Sequence, residues 1–494
     1  MNSVILLIVF IPLAIYLIEG IRHGLKVKTW DQFFLADRKL RLTSFIINTA
    51  ATNFSFLTAV FVLISWAYAY GPAVWWTIIT AFLGFLFYSI PKISPIKDEK
   101  FFSTGNTLHE YLGIRYNSNS VRFIASLCTV TAFIGFFIAE VYIFAGFLSQ
   151  YLPISFWKLI ILLAFIACFY TLLGGFFAVV KTDLWQFFFI ILGSIIFLYL
   201  LGAGPFDLKN TLLKSFNLSG LFKPIPPFQA PPLLFVAMTF VLNSLWYFSA
   251  MTMWQRSLAA KYQKTISRGA LYGGLVFCSI AIPVILIGIG MRLLFPSDNL
   301  GPFEIISELL KNKNPLILGG ILTFFCSAFL STADSNLIAL SQSLLYDIIG
   351  IIRRKKAEIK FSLSAVRISI LIITVASLLF LYLYQKLFKF DLITFLLTFF
   401  SCQVVLFPSV IYAVFKPNQT LSKWPAIFSI AGGYLTAFIL GKISTTNPVL
   451  QVITPVGSLG IALLIFLGII LGKKIFKIIF RKRGGIEREV KFRG

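Results

Sequence analysis

The chain is poor in the residues that do most soluble chemistry. It has two histidines in 494 residues, His23 and His109, and both fall in segments between apolar runs. Histidine-based catalysis and histidine metal clusters inside a membrane are thereby excluded. The five cysteines (Cys128, Cys168, Cys278, Cys326, Cys402) all lie within apolar runs and none has CxxC spacing, so neither a disulfide framework nor a zinc site is indicated. Charged residues make up only 12%, and acidic ones are scarce: 18 Asp and Glu against 43 Lys and Arg. There is no low-complexity tract and no soluble appendage of domain size.

What fills the chain is apolar. Hydrophobic residues make up 58%, more than a soluble core can hold, so lipid must solvate most of them. Thirteen stretches are long enough to span: 2–20, 43–67, 72–90, 121–148, 156–177, 183–203, 232–253, 269–292, 315–346, 362–384, 391–415, 424–441 and 455–472. They are long and uniformly apolar, which predicts helices rather than a β-barrel. The first is not a convincing signal peptide, because its basic residues follow it.

A net charge of +25 invites a nucleic-acid reading, but the charge is sorted by topology. With the N-terminus outside, 33 of the 43 basic residues fall in inside loops and the C-terminal tail. That asymmetry predicts N-terminus out and C-terminus in at the cell membrane. The tail after Gly472 reads as a cytoplasmic anchor near anionic lipid. The expected organisation is one transmembrane domain over 1–472, with a basic tail at 473–494.

Three spans carry unusual polarity. Span 2 holds Asn48, Thr49, Thr52, Asn53, Ser55 and Thr58; span 7 holds Asn243, Ser244, Tyr247, Ser249 and Thr252. Two weakened helices five spans apart suggest an inverted repeat with broken helices, near 51–55 and 244–249. The alternative is two continuous helices whose hydroxyls bond back to the preceding turn. Span 9 reads SAFLSTADSNL, where Ala328, Ser331, Thr332 and Ser335 form one face. Two hydroxyls and a carbonyl suit a dehydrated monovalent cation, since a divalent one usually recruits carboxylates. The same face could equally be interhelical glue.

Five stretches in register tip this balance: TWDQFFLADRKLRLTSF, TLHEYLGIRY, YTLLGGFFAVVKTDLWQ, WQRSLAAKYQ and the STADS segment. Together they resemble the sodium:solute symporter family from about residue 29 to 350. The resemblance implies an all-α, LeuT-type five-plus-five inverted repeat: spans 2–6 (about 43–203) and 7–11 (about 232–415), with one extra N-terminal and two extra C-terminal helices. It implies a core sodium site from the carbonyls of Ala51, Phe54 and Ala328 and the hydroxyls of Ser331 and Thr332. A second sodium between Asp183, Asp334 and Ser335 is one option. The other is that Asp183 lines the ion exit and Asp334 pairs with a base such as Lys181. Substrate positions map to Ser55, Thr58, Thr77, Phe136, Tyr247 and Met251. Where relatives that grip a carboxylated sugar carry an Arg, this chain has Phe136; one turn on stands Glu140, a mid-span acid that is either functional or a protonated structural group.

The expected function is secondary active transport: sodium drives uptake of a small organic solute by alternating access, with no catalysis and no obligate protein partner. A symporter-like sensor acting with a separate signalling partner is the alternative. A membrane enzyme would need a converging nucleophile, base or metal set, and the lack of histidines within the spans weighs against it.

Overall fold

The computed structural model describes residues 3–91, 99–353, 361–387, 391–417, 419–445 and 448–491. Parts of the basic loops at 91–122 and 350–367, and the last residues of the tail, lie outside the described residues. Every regular element described is helical; one isolated bridge joins Leu40 to Ala260.

Among the described residues, ten helices are long and apolar enough to cross a membrane. The bent pair Phe235–Ser249 and Met251–Ala259, which turns by 41°, makes an eleventh crossing. The sequence predicts thirteen, and the difference lies in two continuous runs, Phe56–Ser89 and Phe156–Ala203. The second has 48 residues. Straight, it would reach about 70 Å, over twice a hydrocarbon core of about 30 Å. It is not straight: Gly175 leaves helical backbone at φ 54, ψ −151. Gly71 does the same in the first run, at φ 56, ψ −132. A β-carbon would lie 2.4 Å from the Phe33 carbonyl oxygen at Gly175, and 2.5 Å from the Phe228 ring at Gly71. Only glycine meets both the dihedral and the contact. Gly71 falls between two expected spans, and Gly175 falls two residues before the end of the span expected at 156–177.

Span 2 is broken. Its first helix, Leu42–Asn53, stops, and Phe54 and Ser55 are non-helical at ψ 73 and ψ 148. The chain resumes in a wide π-type turn, Phe56–Val62, then the helix Leu63–Tyr70. Ser55 caps the restart by accepting the Thr58 N–H at 2.9 Å. Span 7 breaks at Ala250, at φ −67, ψ 116, one residue past the expected window. Asn243 and Ser244, at its start, sit in a π-type turn, Phe240–Leu245, and bond span 3. Ser244 donates to the Thr80 carbonyl at 2.5 Å, and Asn243 to the Thr77 carbonyl at 3.3 Å. The Ser249 carbonyl, just before the break, is taken up by the Gln403 side chain.

Span 9, Pro315–Gln342, is the centre of the bundle, with every residue from Ile321 to Gln342 buried. A helix buried on all sides needs neighbours all round. It touches Phe156–Ala203, Asn119–Leu148, Leu42–Asn53 and Phe56–Val62. The two broken spans are tied at one end: Leu40 N–H donates to the Ala259 carbonyl and Lys261 N–H to the Leu40 carbonyl, both at 2.9 Å. Exposed apolar side chains such as Leu198, Ile372 and Leu435 line the outside of the bundle, as a lipid-facing surface requires.

Candidate functional site

The break in span 2 leaves the end of the helix Leu42–Asn53 inside the protein. The last carbonyls of a helix lack intrahelical partners and carry partial negative charge. The Phe54 N–H reaches the Ala50 and Ala51 carbonyls, both at 3.1 Å. The next carbonyl, that of Thr52, accepts the Thr332 hydroxyl at 2.9 Å. One residue earlier on span 9, Ser331 donates to Asp183 Oδ1 at 2.6 Å. Both hydroxyls give away their hydrogen and keep lone pairs for another partner. Ala328 is fully buried one turn before Thr332.

Asp183 is fully buried, and Asn48 donates a second hydrogen bond to it. Asp334 is equally buried; its partner is the Tyr170 hydroxyl at 2.6 Å, not Lys181. Ser335 bonds Thr52 Oγ1 at 3.1 Å. Around these groups, Asn48 Oδ1, Gln186 Oε1 and Asp334 Oδ1 are buried with no hydrogen-bond partner. Buried oxygens left without a donor suit a desolvated cation.

Hydropathy ends the seventh span at 253 and leaves Arg256 beyond it. The helix Met251–Ala259 instead carries it into the bundle, fully buried. It donates to the Thr252 carbonyl at 2.7 Å, to Ser335 Oγ at 3.1 Å, and to Thr52 Oγ1. It therefore joins span 7 to spans 2 and 9 beside the two aspartates. The signal was present: the segment WQRSLAAKYQ belongs to the resemblance, but a span boundary drawn at 253 left its Arg outside.

Two cavities adjoin the break. Thr58, Thr77 and Tyr247 line one; Ser55, Thr58, Phe136 and Glu140 line the other, together with Thr52 and Thr332. Asn53, Thr58, Trp246 and Phe400 line both. Met251 lines neither; it is packed just beyond the break in span 7. Thr77 is at the wall, but its hydroxyl donates to Val74 at 2.7 Å in its own turn. Tyr247 stacks on Phe85 with ring centroids 4.1 Å apart. Glu140 is 2% exposed; it accepts the Ser55 hydroxyl and, at 3.3 Å, the Leu57 N–H. It thus faces the start of the second half of span 2, where helix N–H groups favour a carboxylate. Asn53, Trp246 and Phe400 were not among the expected solute residues.

Residues 33–422 match the model of the Sodium:solute symporter family. The chain belongs to the sodium:solute symporter family. Over 247 residues it is 27% identical to the Sodium/pantothenate symporter of Haemophilus influenzae, covering 49% of this chain and 50% of that protein. The chain thus spans about half the length of the curated relative it matches. Among solved structures it is similar to a Na+-coupled sialic acid symporter in a substrate-bound outward-open state, with a TM-score of 0.76, 17% identity, and 94% of this chain and 96% of that one covered. A nucleobase-cation-symport-1 family transporter, closed with bromovinylhydantoin bound, follows at TM-score 0.58, 13% identity and 88% and 92% coverage. A manganese transporter from Eremococcus coleocola aligns at TM-score 0.53, 16% identity and 92% and 97% coverage. At these identities the likeness speaks for the fold, the all-helical inverted-repeat arrangement with two broken spans.

Proposed function

We propose that this member of the sodium:solute symporter family couples inward sodium movement to uptake of a small organic solute, without catalysis. The observation that carries the reading is the junction of spans 2 and 9, where Thr332 meets the Thr52 carbonyl at the helix break and Ser331 meets Asp183. Sodium would be held by the Ala51, Phe54 and Ala328 carbonyls and the Ser331 and Thr332 hydroxyls, with Asp183, Asp334 and Ser335 as a second cation position. Ion binding across two spans biases which arrangement of the bundle is populated, and that is the physical basis of coupling. The solute would sit in the adjoining cavities, against Ser55, Thr58, Thr77, Phe136, Glu140 and Tyr247, with Asn53 and Trp246 added. Met251 would act only by packing.

The same reading takes 1–472 as one transporter domain, with repeats at about 43–203 and 232–415 and a cytoplasmic tail at 473–494. Its N-terminus is outside, as the positive-inside bias requires. Pantothenate and sialic acid, named for two of the similar proteins, are solutes to test. The experiment is uptake into proteoliposomes with sodium or potassium outside. Sodium-stimulated accumulation of a solute supports the proposal. Ion-independent equilibration, or no transport of any solute in a broad panel, sinks it.

A further inference from the structure

We infer that the transported solute is an organic cation, a protonated amine or quaternary ammonium ion with an apolar body. The inference rests on the transport reading above and names the class of solute that the same cavities would take.

The first observation is a charge count. Three carboxylates lie buried around the junction of spans 2, 4 and 9: Asp183 and Asp334 at 0% exposure and Glu140 at 2%. Arg256, at 0%, is a buried cation hydrogen-bonded beside them. Buried charge is tolerated only when it is compensated. Arg256 and the proposed cation positions lie beside the two aspartates, which leaves the charge of Glu140 without a neighbouring cation.

The second observation locates that charge. Arg256 bonds Thr52 and Ser335, on the side of the two aspartates. Glu140 faces the solute cavity and has only the Ser55 hydroxyl and the Leu57 N–H as partners. A carboxylate offers about four acceptor positions, so two remain. Among the described residues, no Lys, Arg or His lines either cavity. A carboxylated solute would meet no fixed cation there, and would face Glu140.

The third observation is the aromatic part of the lining. Phe136, Trp246 and Phe400 line the Glu140 cavity and form a mutual cluster, with ring centroids 5.1 Å (Phe136–Trp246), 4.4 Å (Phe136–Phe400) and 4.8 Å (Trp246–Phe400) apart. Aromatic faces attract ammonium groups, and cages of this kind recognise quaternary ammonium ions. A carboxylate and aromatic rings lining one cavity suit the head of an amine, and the aromatic wall of the first cavity suits its apolar remainder. Thr52 and Thr332 line the same cavity, so a sodium ion at the span 2–9 junction would repel a cationic solute unless Glu140 offset the pair.

The test is thermal stability of the purified full-length chain. Sodium chloride against potassium chloride, with no solute, reads the ion site alone; a missing sodium shift defeats the transport proposal and not the solute class. In sodium, a panel of monoamines and quaternary ammonium ions, including phenethylamine and choline, is compared with phenylacetate and pantothenate. At least one cation should raise the melting temperature in a saturable manner, and neither acid should. Stabilisation by an acid, or by no cation in the panel, overturns the inference. Glu140→Gln should weaken the bound cation at least tenfold while the sodium shift survives. Unchanged cation binding in that variant would mean that a proton already balances Glu140, and the inference falls. Phe400→Leu keeps an apolar wall without a ring face and should weaken the cation severalfold. It carries the test if Glu140→Gln fails to fold, and undiminished binding in it counts against the aromatic contact.

Discussion

Replacing Thr332 with valine exchanges one oxygen for a methyl carbon and leaves shape and branching unchanged. Two losses follow. The Thr52 carbonyl, at the end of the broken helix, loses the donor that reaches it at 2.9 Å. Stranding a buried acceptor costs about 1–3 kcal/mol, so the protein should melt a few degrees lower. The proposed sodium site loses one of its five oxygens. Taking a hydrogen bond to a charged group as the scale, about 1.5–3 kcal/mol, and about 1.4 kcal/mol per factor of ten, the sodium needed for half-maximal uptake should rise roughly 10- to 100-fold. Thr332→Ser keeps the oxygen and should remain within a few-fold of the parent. The assay is a sodium titration of solute uptake in proteoliposomes, beside a sodium titration of melting temperature that needs no solute. If valine lowers stability but leaves both titrations where they were, Thr332 is a strut between spans 2 and 9, and the ion-site assignment is wrong.

Gly175→Ala must place a β-carbon 2.4 Å from the Phe33 carbonyl at φ 54; it should cost at least about 1–3 kcal/mol and cut the yield of folded protein, whereas Gly202→Ala, with nothing within 4 Å, should not. Arg256→Gln breaks the donor set that holds Thr252, Thr52 and Ser335 together and should destabilise by several kcal/mol in a denaturant melt. Adding Asp334→Asn should restore part of that loss through a coupling of about 0.5–3 kcal/mol, and strictly additive effects would show that the two groups do not sense each other. A cysteine at the exposed position 353 should react with an impermeant thiol reagent only from the cytoplasmic face; labelling from outside would invert the proposed topology.

The parts of this molecule that the sequence made legible were polar residues set against lipid-soluble ones. Ser331, Thr332, Asp183 and Ser55 each stand out because a hydroxyl or carboxylate in a span has to find a partner. The structure brings these residues to the break in span 2. At Ser244 and Asn243 the polarity marks a π-type turn, Phe240–Leu245, and bonds to span 3. The chain breaks instead at Ala250, a residue with no polar mark, and the compensating group is Gln403, far along the sequence.

The solute wall was legible only in part, for a different reason. Phenylalanine accounts for 55 of the 494 residues, so Phe400 on a cavity wall looks like any Phe facing lipid. Side-chain type carries information only where it departs from its background. Arg256 departs strongly, yet a span edge drawn by hydropathy placed it in water. Hydropathy ends a span at the first charge, and a bent helix can carry that charge back inside. At 41°, the second half of span 7 does so, and Arg256 becomes a donor to spans 2 and 9. The break in span 7 therefore carries the tethered cation to the same junction where the break in span 2 frees its carbonyls.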